Sequence, residues 1–246
     1  MKVSEIIGQI QQLKRGQEYS FQNKINKNTF RYVKKALKPQ TALIFERIQF
    51  DKETGKFKTS RVSVTERNLQ KLASRIRPYV PFQIDVIVGA SGNWRSLFES
   101  ALAYTPNFYA CLIGGQRHLV WAPEHPHELN TLTIATQSEL KIFEKQSRFY
   151  DYKFFVENCY PYSEKYEDFK LGIVRLLTMF RGLGLDVNSL YEISSPEIIG
   201  EYIRTADSEI YSKFHESLPS TPNFSLADVA KSYRMFLLAK QYFAYY

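Results

Sequence analysis

Cysteine, tryptophan, histidine and long apolar runs are all scarce in this 246-residue chain. Cysteine and tryptophan each occur twice and histidine four times. Two isolated thiols, Cys111 and Cys159, make no disulfide framework and fit a reducing compartment. In their apolar, strand-like surroundings they read as small buried hydrophobes. No apolar run approaches the roughly 18 residues that a membrane span needs. Residues 1–17 lack the apolar middle and the small-residue cleavage site of a signal peptide. Internal repeats and low-complexity stretches are missing too. These absences exclude a disulfide scaffold, a fibre and a helical membrane protein. The expectation is a soluble, cytoplasmic protein with no membrane partner.

Hydrophobic residues make up 44% and charged residues 24%, which is enough apolar mass for a real core. Aromatics reach 15%, nearly all of them Tyr and Phe. Such rings pack cores, and they also stack on bases.

Charge is unevenly spread. The net charge is +8, yet residues 1–80 carry 18 Lys and Arg against 6 Asp and Glu, leaving 15 against 19 for the rest. A basic head on a mildly acidic body is the pattern of an electrostatic footprint for nucleic acid. Each phosphate neutralised by Lys or Arg releases counterions. The candidates are Arg31, Lys34, Lys35, Lys56, Lys58 and Arg61, joined further on by Arg95. Lys24, Lys27, Lys38 and Lys52 add to the same basic field, and Phe30, Tyr32 and Phe57 are placed to stack on bases. A solvated basic face or an acidic protein partner is the alternative.

Periodicity and turn residues divide the chain into elements. Residues 3–14 have helical apolar spacing, with Ser4 as a cap and Gly16 as a stop. Residues 28–37 read as a second helix stopped by Pro39. Thr41–Phe50 and Lys56–Val64 read as two strands of a hairpin around 51–55. Thr65 begins a helix that ends near Pro78, and 83–88 reads as a buried strand. Residues 89–93 form a small-residue turn before a helix at 93–104. Strands follow at 107–113, 117–122 and 131–135, then a helix at 137–147 and a strand at 150–157. Helices are expected at 163–181, 195–204, 206–217 and 225–244, the last capped by Ser225. The fold class is therefore α/β (α+β), with a mixed sheet core. The organisation is a basic N-terminal helix and hairpin portion (1–80), an α/β core (81–160) and a helical C-terminal portion (161–246), or all three as one domain.

The α-β-β-β-α-β run over about 90–157 resembles the core of the PD-(D/E)XK nuclease superfamily, the fold of many restriction endonucleases. In the resemblance Glu99 takes the place of the helix Glu that this family often carries. The strand entry Gly114-Gly115-Gln116-Arg117-His118 has His118 where the family has Asp, and the third strand, 131–136, lacks the Glu-x-Lys. Glu139-Leu140-Lys141 supplies that spelling on a predicted helix instead. The family's chemistry needs clustered oxygen ligands for a divalent ion, Mg²⁺ for instance, and a Lys for the water. The metal itself is left unknown here.

Three of the four histidines, His118, His125 and His127, fall within ten residues. They are candidates for acid–base work on a phosphodiester without a metal, or for a zinc site; the other reading is a polar loop with solvated imidazoles. The candidate catalytic set is therefore Glu99, His118, His125, His127 and Lys141. The resulting expectation is a protein that binds DNA or RNA in a restriction, defence or mobile-element setting. Whether it is an enzyme stays open; if so, it is a phosphodiester-cleaving nuclease. The competing expectation is a non-catalytic module that docks a protein partner, or a second copy, through its apolar C-terminal helix.

Overall fold

The computed structural model describes residues 1–21, 28–35, 42–89, 94–125, 127–158, 166–206 and 226–243. Outside them lie the small-residue turn at 90–93, Cys159, the expected helix at 206–217, the Ser225 cap, and Lys24, Lys27 and Lys38. The chain divides into two units, Met1–Glu144 and Lys145–Tyr246.

Unit 1 opens with α1 (Val3–Ile10), whose Ile6, Ile7 and Ile10 are buried. The helix starts ahead of Ser4, because the Glu5 carboxylate reaches back to accept the Lys2 backbone N–H at 2.5 Å. Four antiparallel strands follow in sequence order: β1 (Glu18–Ser20), β2 (Thr29–Lys35), β3 (Leu43–Phe50) and β4 (Phe57–Val64). The helix expected over 28–37 is thus a strand where it is described. Phe30 and Tyr32 alternate with Arg31 and point into the core, and β3 pairs along the whole segment. A bulge at Val33 breaks the register between Tyr32 and Lys34.

The sheet's inner face (Phe30, Tyr32, Phe45, Val62, Val64) packs with α1, α2 (Glu66–Arg75) and α4 (Trp94–Ala103). Thr65 caps α2 as expected, its hydroxyl accepting the Asn68 N–H at 3.3 Å. Residues 84–88 were expected in a strand and form the short helix α3 (Ile84–Val88). Ile84 and Val88, one turn apart, are buried while Val86 is 75% exposed, and Gly89 closes the turn at φ +65°. Phe82, just before it, pairs with Leu119 instead.

A second sheet, in the order β6-β5-β7, combines β5 (Phe108–Ile113), β6 (Gln116–Trp121) and β7 (Leu132–Ile134). The β5–β6 pair is antiparallel and the β5–β7 pair parallel. One face, with Phe108, Ala110 and Leu119, joins the core around α4; the other, with Cys111 and Val120, meets Phe143 of α5 (Gln137–Asn158). The fold is α+β with a mixed sheet and a helix against each of its faces. The strand expected at 150–157 belongs to α5. Phe149, Tyr152 and Val156 recur at helical spacing and feed the core of unit 2.

Unit 2 is helical: the end of α5, α6 (Tyr166–Gly182), α7 (Pro196–Ala206) and α8 (Leu226–Phe243), with a 3₁₀ turn at Leu190–Glu192. Gly172 lets α6 approach α8; a Cβ there would stand 2.7 Å from Val229 Cγ2. The apolar residues of α8 expected to dock a partner (Val229, Tyr233, Phe236, Leu237) are buried in this core. The Tyr233 hydroxyl donates to the Ile193 carbonyl at 2.9 Å. Among the described residues no helix is long and apolar enough to cross a membrane.

Candidate nucleic-acid interface and candidate catalytic residues

The β3–β4 hairpin outgrows the sheet that carries it. Strand β2 pairs with β3 as far as Thr29 opposite Ile48. Beyond that row, β3 and β4 continue as a two-stranded ribbon through Gln49 opposite Lys58 and Phe50 opposite Phe57. The turn is closed by Asp51: its carboxylate accepts the Glu53 N–H at 2.9 Å and the Thr54 N–H at 3.4 Å, and Gly55 supplies φ +66°. At this tip Phe50 is 38% and Phe57 59% exposed. Their rings meet edge to face, 5.2 Å between centroids. Exposed Lys52, Lys56 and Lys58 surround them. Lys58 and the backbone N–H groups hold the Asp51 carboxyl down at about 2, so it is ionised and screens Lys58, whose Nζ lies 2.5 Å away.

Further back, the outward row across the four strands alternates in sign: Glu18, Arg31, Glu46, Arg61. Arg31 is ion-paired with Glu18, and Arg61, though exposed, stands opposite Glu46. Lys34 is exposed on β2 next to this row, and the side chain of Lys35 lies outside the described residues. Arg95 is on α4 with its guanidinium 3.0 Å from the Asp85 carboxylate. The basic candidates are therefore not equivalent: the tip concentrates cations with apolar rings, whereas the body of the sheet interleaves them with carboxylates. Phe30 and Tyr32, expected to stack on bases, are core residues. Phe50 was missed, although it mirrors Phe57 across the five-residue loop.

Glu99 faces away from solvent on α4, 3.7 Å from Arg117 of β6. Desolvation raises its pKa, against the opposing pull of Arg117 and of Arg95 one turn earlier; Asp85 adds to the rise. A carboxylate set between two guanidinium groups is a poor ligand for a divalent cation, and the nearby Asp85 already serves Arg95. Among the described residues no three His, Cys, Asp or Glu side chains gather as a metal site. The residues present do not fit Mg²⁺.

The histidines stand elsewhere. His118 follows Arg117 on β6, so the two side chains leave opposite faces of the sheet. His118 lies opposite Cys111, on the face that α5 covers. Its Nδ1 lies 3.0 Å from the Gln116 carbonyl, which can only accept, so Nδ1 donates and Nε2 is the acceptor of the neutral ring. His127 packs on Tyr109 of the same face at 5.1 Å between rings. Burial lowers its pKa, with the Phe108 backbone opposing the shift. His125 is exposed, its Nδ1 2.6 Å from the Tyr79 hydroxyl. Cys111 is buried and pushed up to about 11, an inert thiol. Lys141 is exposed on α5, one residue past Leu140, which packs towards Cys111 and Val120. The five catalytic candidates thus do not converge. Glu99 belongs to one face of the second sheet, and His118 and His127 to the other.

Comparison with known proteins gives one informative match. The chain is 28% identical over 141 residues to the type II restriction enzyme NmeDI of Neisseria meningitidis serogroup C. That match takes in 52% of this chain and 37% of the enzyme, so the chain spans little more than a third of the relative's length. No family model matches the sequence, and no solved structure matches it.

Proposed function

We propose that this chain engages DNA through the projecting β3–β4 ribbon, as part of a restriction-type or related defence system, or of mobile-element processing, in the cytoplasm. The observation that carries the reading is the ribbon tip, where Phe50 and Phe57 are exposed together among Lys52, Lys56 and Lys58. A two-stranded ribbon fits the major groove of B-form DNA. The lysines reach phosphates flanking the groove, and the two rings contact or stack on bases. DNA rather than RNA is favoured by the likeness to a type II restriction enzyme. The basic N-terminal portion is the binding part of this scheme.

The nuclease-like core is retained in coarser form. Helix α4, three strands and helix α5 follow the PD-(D/E)XK order, but the closing strand is replaced by helix. Glu99, held between Arg117 and Arg95, is assigned a structural role. Phosphodiester cleavage by this chain, where it occurs, is assigned to the histidines. The exposed His125–Tyr79 pair and the Nε2 acceptor of His118 have the donor and acceptor chemistry for proton transfer. The test is to incubate the protein with labelled duplex DNA, single-stranded DNA and RNA, with and without Mg²⁺, and to read native and denaturing gels. Duplex DNA is expected to shift at low salt, and any cutting to be lost in His125→Ala and kept in Glu99→Gln. No shift on any substrate rejects the proposal.

A further inference from the structure

Unit 2 holds a feature that the ribbon reading does not use, an open groove of about 500 Å³ between α7 and α8. Helical spacing builds its walls. Glu197, Gly200 and Arg204 follow one another along one face of α7; Lys231, Arg234 and Met235 do so on α8. Three cations therefore line the groove against a single carboxylate. That carboxylate is engaged at the start of α7: Glu197 accepts the Ser195 hydroxyl at 2.6 Å, and the same hydroxyl accepts the Glu197 and Ile198 N–H groups at 3.2 and 3.3 Å. Gly200 lets Arg234 lie across α7. A Cβ there would come within 3.1 Å of Arg234 Nε, which donates to the Pro196 carbonyl at 3.3 Å. Met235, 47% exposed, adds a flexible apolar patch.

We propose that this groove is a phosphate-binding site of nucleotide size, with Arg204, Lys231 and Arg234 on the phosphates and Met235 against the base. Its volume is far larger than one phosphate needs and falls within the range of about 300–1,000 Å³ typical of small-ligand sites. Arg and Lys converging in a concave setting focus potential on an anion, and the guanidinium forks match phosphate oxygens. Met235 gives a base or sugar an apolar contact that inorganic phosphate would not use. The phosphates belong either to a free nucleotide or to a nucleic-acid strand. The site is separate from the ribbon and does not rest on it.

The experiment uses the full chain and two probes: inorganic pyrophosphate, by calorimetry, and a fluorescent 5′-phosphorylated trinucleotide, by anisotropy. Both bind the native protein, and Arg204→Gln/Lys231→Gln weakens both at least tenfold. Arg204→Lys retains most of the affinity, and thermal melting of each variant confirms that it is folded. Phe57→Ala leaves pyrophosphate binding unchanged, which separates this site from the ribbon. Displacement of pyrophosphate by the trinucleotide assigns the groove to a strand; binding of pyrophosphate and AMP without such displacement assigns it to free nucleotides. Undetectable pyrophosphate binding, or binding equal in the native protein and the folded double variant, overturns the proposal.

Discussion

Phe50 and Phe57 face each other across the last ladder pair before the β3–β4 turn, with their rings edge to face and open to solvent. An apolar pair so placed is a surface that a partner can cover. Phe57→Ala is expected to weaken binding to labelled duplex DNA by an amount in the range of base–aromatic stacking, about 1–3 kcal/mol. The same change should cost the fold about 1 kcal/mol or less, the scale of an exposed cross-strand pair. Anisotropy titration and a denaturant melt on the same preparation measure both. An equal loss in the melt and in binding would reduce the pair to a structural role.

Asp51 is the one carboxylate that directly screens a ribbon lysine among the contacts described above. Asp51→Asn keeps an oxygen for the Glu53 and Thr54 N–H groups and removes the charge. Binding to DNA is expected to tighten a few-fold at low salt, with a steeper dependence on salt as Lys58 becomes available to phosphate. Weaker binding by a folded Asp51→Asn would mean that the loop geometry matters more than its charge.

Glu99 makes a prediction about pH and another about metal. Burial raises its pKa above the ordinary 4.5, so above that pH the folded state holds a proton that the unfolded chain has released. Stability therefore falls as pH rises from 4.5 through the raised value, and the fall is complete once Glu99 is ionised in both states. Glu99→Gln should flatten this part of the profile in urea melts taken from pH 4.5 to 8. It should also leave any effect of Mg²⁺ on DNA unchanged, because the carboxylate serves Arg117. Loss of a Mg²⁺-dependent activity in Glu99→Gln would return the residue to a catalytic role.

Gly172 tests the packing of unit 2. Gly172→Ala gains up to about 1 kcal/mol of helix propensity but sets a methyl 2.7 Å from Val229 Cγ2. Overpacking of that kind costs about 1–3 kcal/mol, so the net change is destabilising. Adding Val229→Ala should recover part of the loss. Calorimetric melting of the two single variants and the double variant yields the coupling.

Much of this architecture could be read from the chain. The β3–β4 hairpin followed from β-branched and aromatic runs around a Gly-containing loop. The helices of unit 2 followed from apolar spacing, and the cap of α2 from Thr65 three residues before Asn68. The misassigned segments share a cause. Over 28–37 the alternation of Phe30, Arg31 and Tyr32 competed with a run of helix-tolerant lysines, and pairing with β3 decided for strand. Ile84–Val88 is apolar throughout, so it looked like a buried strand until Gly89 closed it as one helical turn. Residues 150–157 alternate aromatic and polar groups, yet continuity with α5 and burial of Tyr152 and Val156 made them helix. Within the candidate site, proximity in sequence misled: Arg117 and His118 are neighbours in the chain and leave opposite faces of a strand. The pairing of Glu99 with Arg117 had no local signal, since it joins α4 to β6 through the tertiary fold.

The central claim is that the ribbon tip holds DNA, and a salt titration of binding tests it most directly. Native protein and a Phe57→Ala/Lys56→Gln/Lys58→Gln variant are titrated with one labelled duplex from about 50 to 200 mM salt. The account predicts weaker binding by the variant at every salt concentration and a log–log slope smaller by about 1.8, since each lost phosphate contact removes about 0.9. Equal affinity and equal slope in the folded variant would contradict it and move the DNA-binding surface elsewhere on the chain.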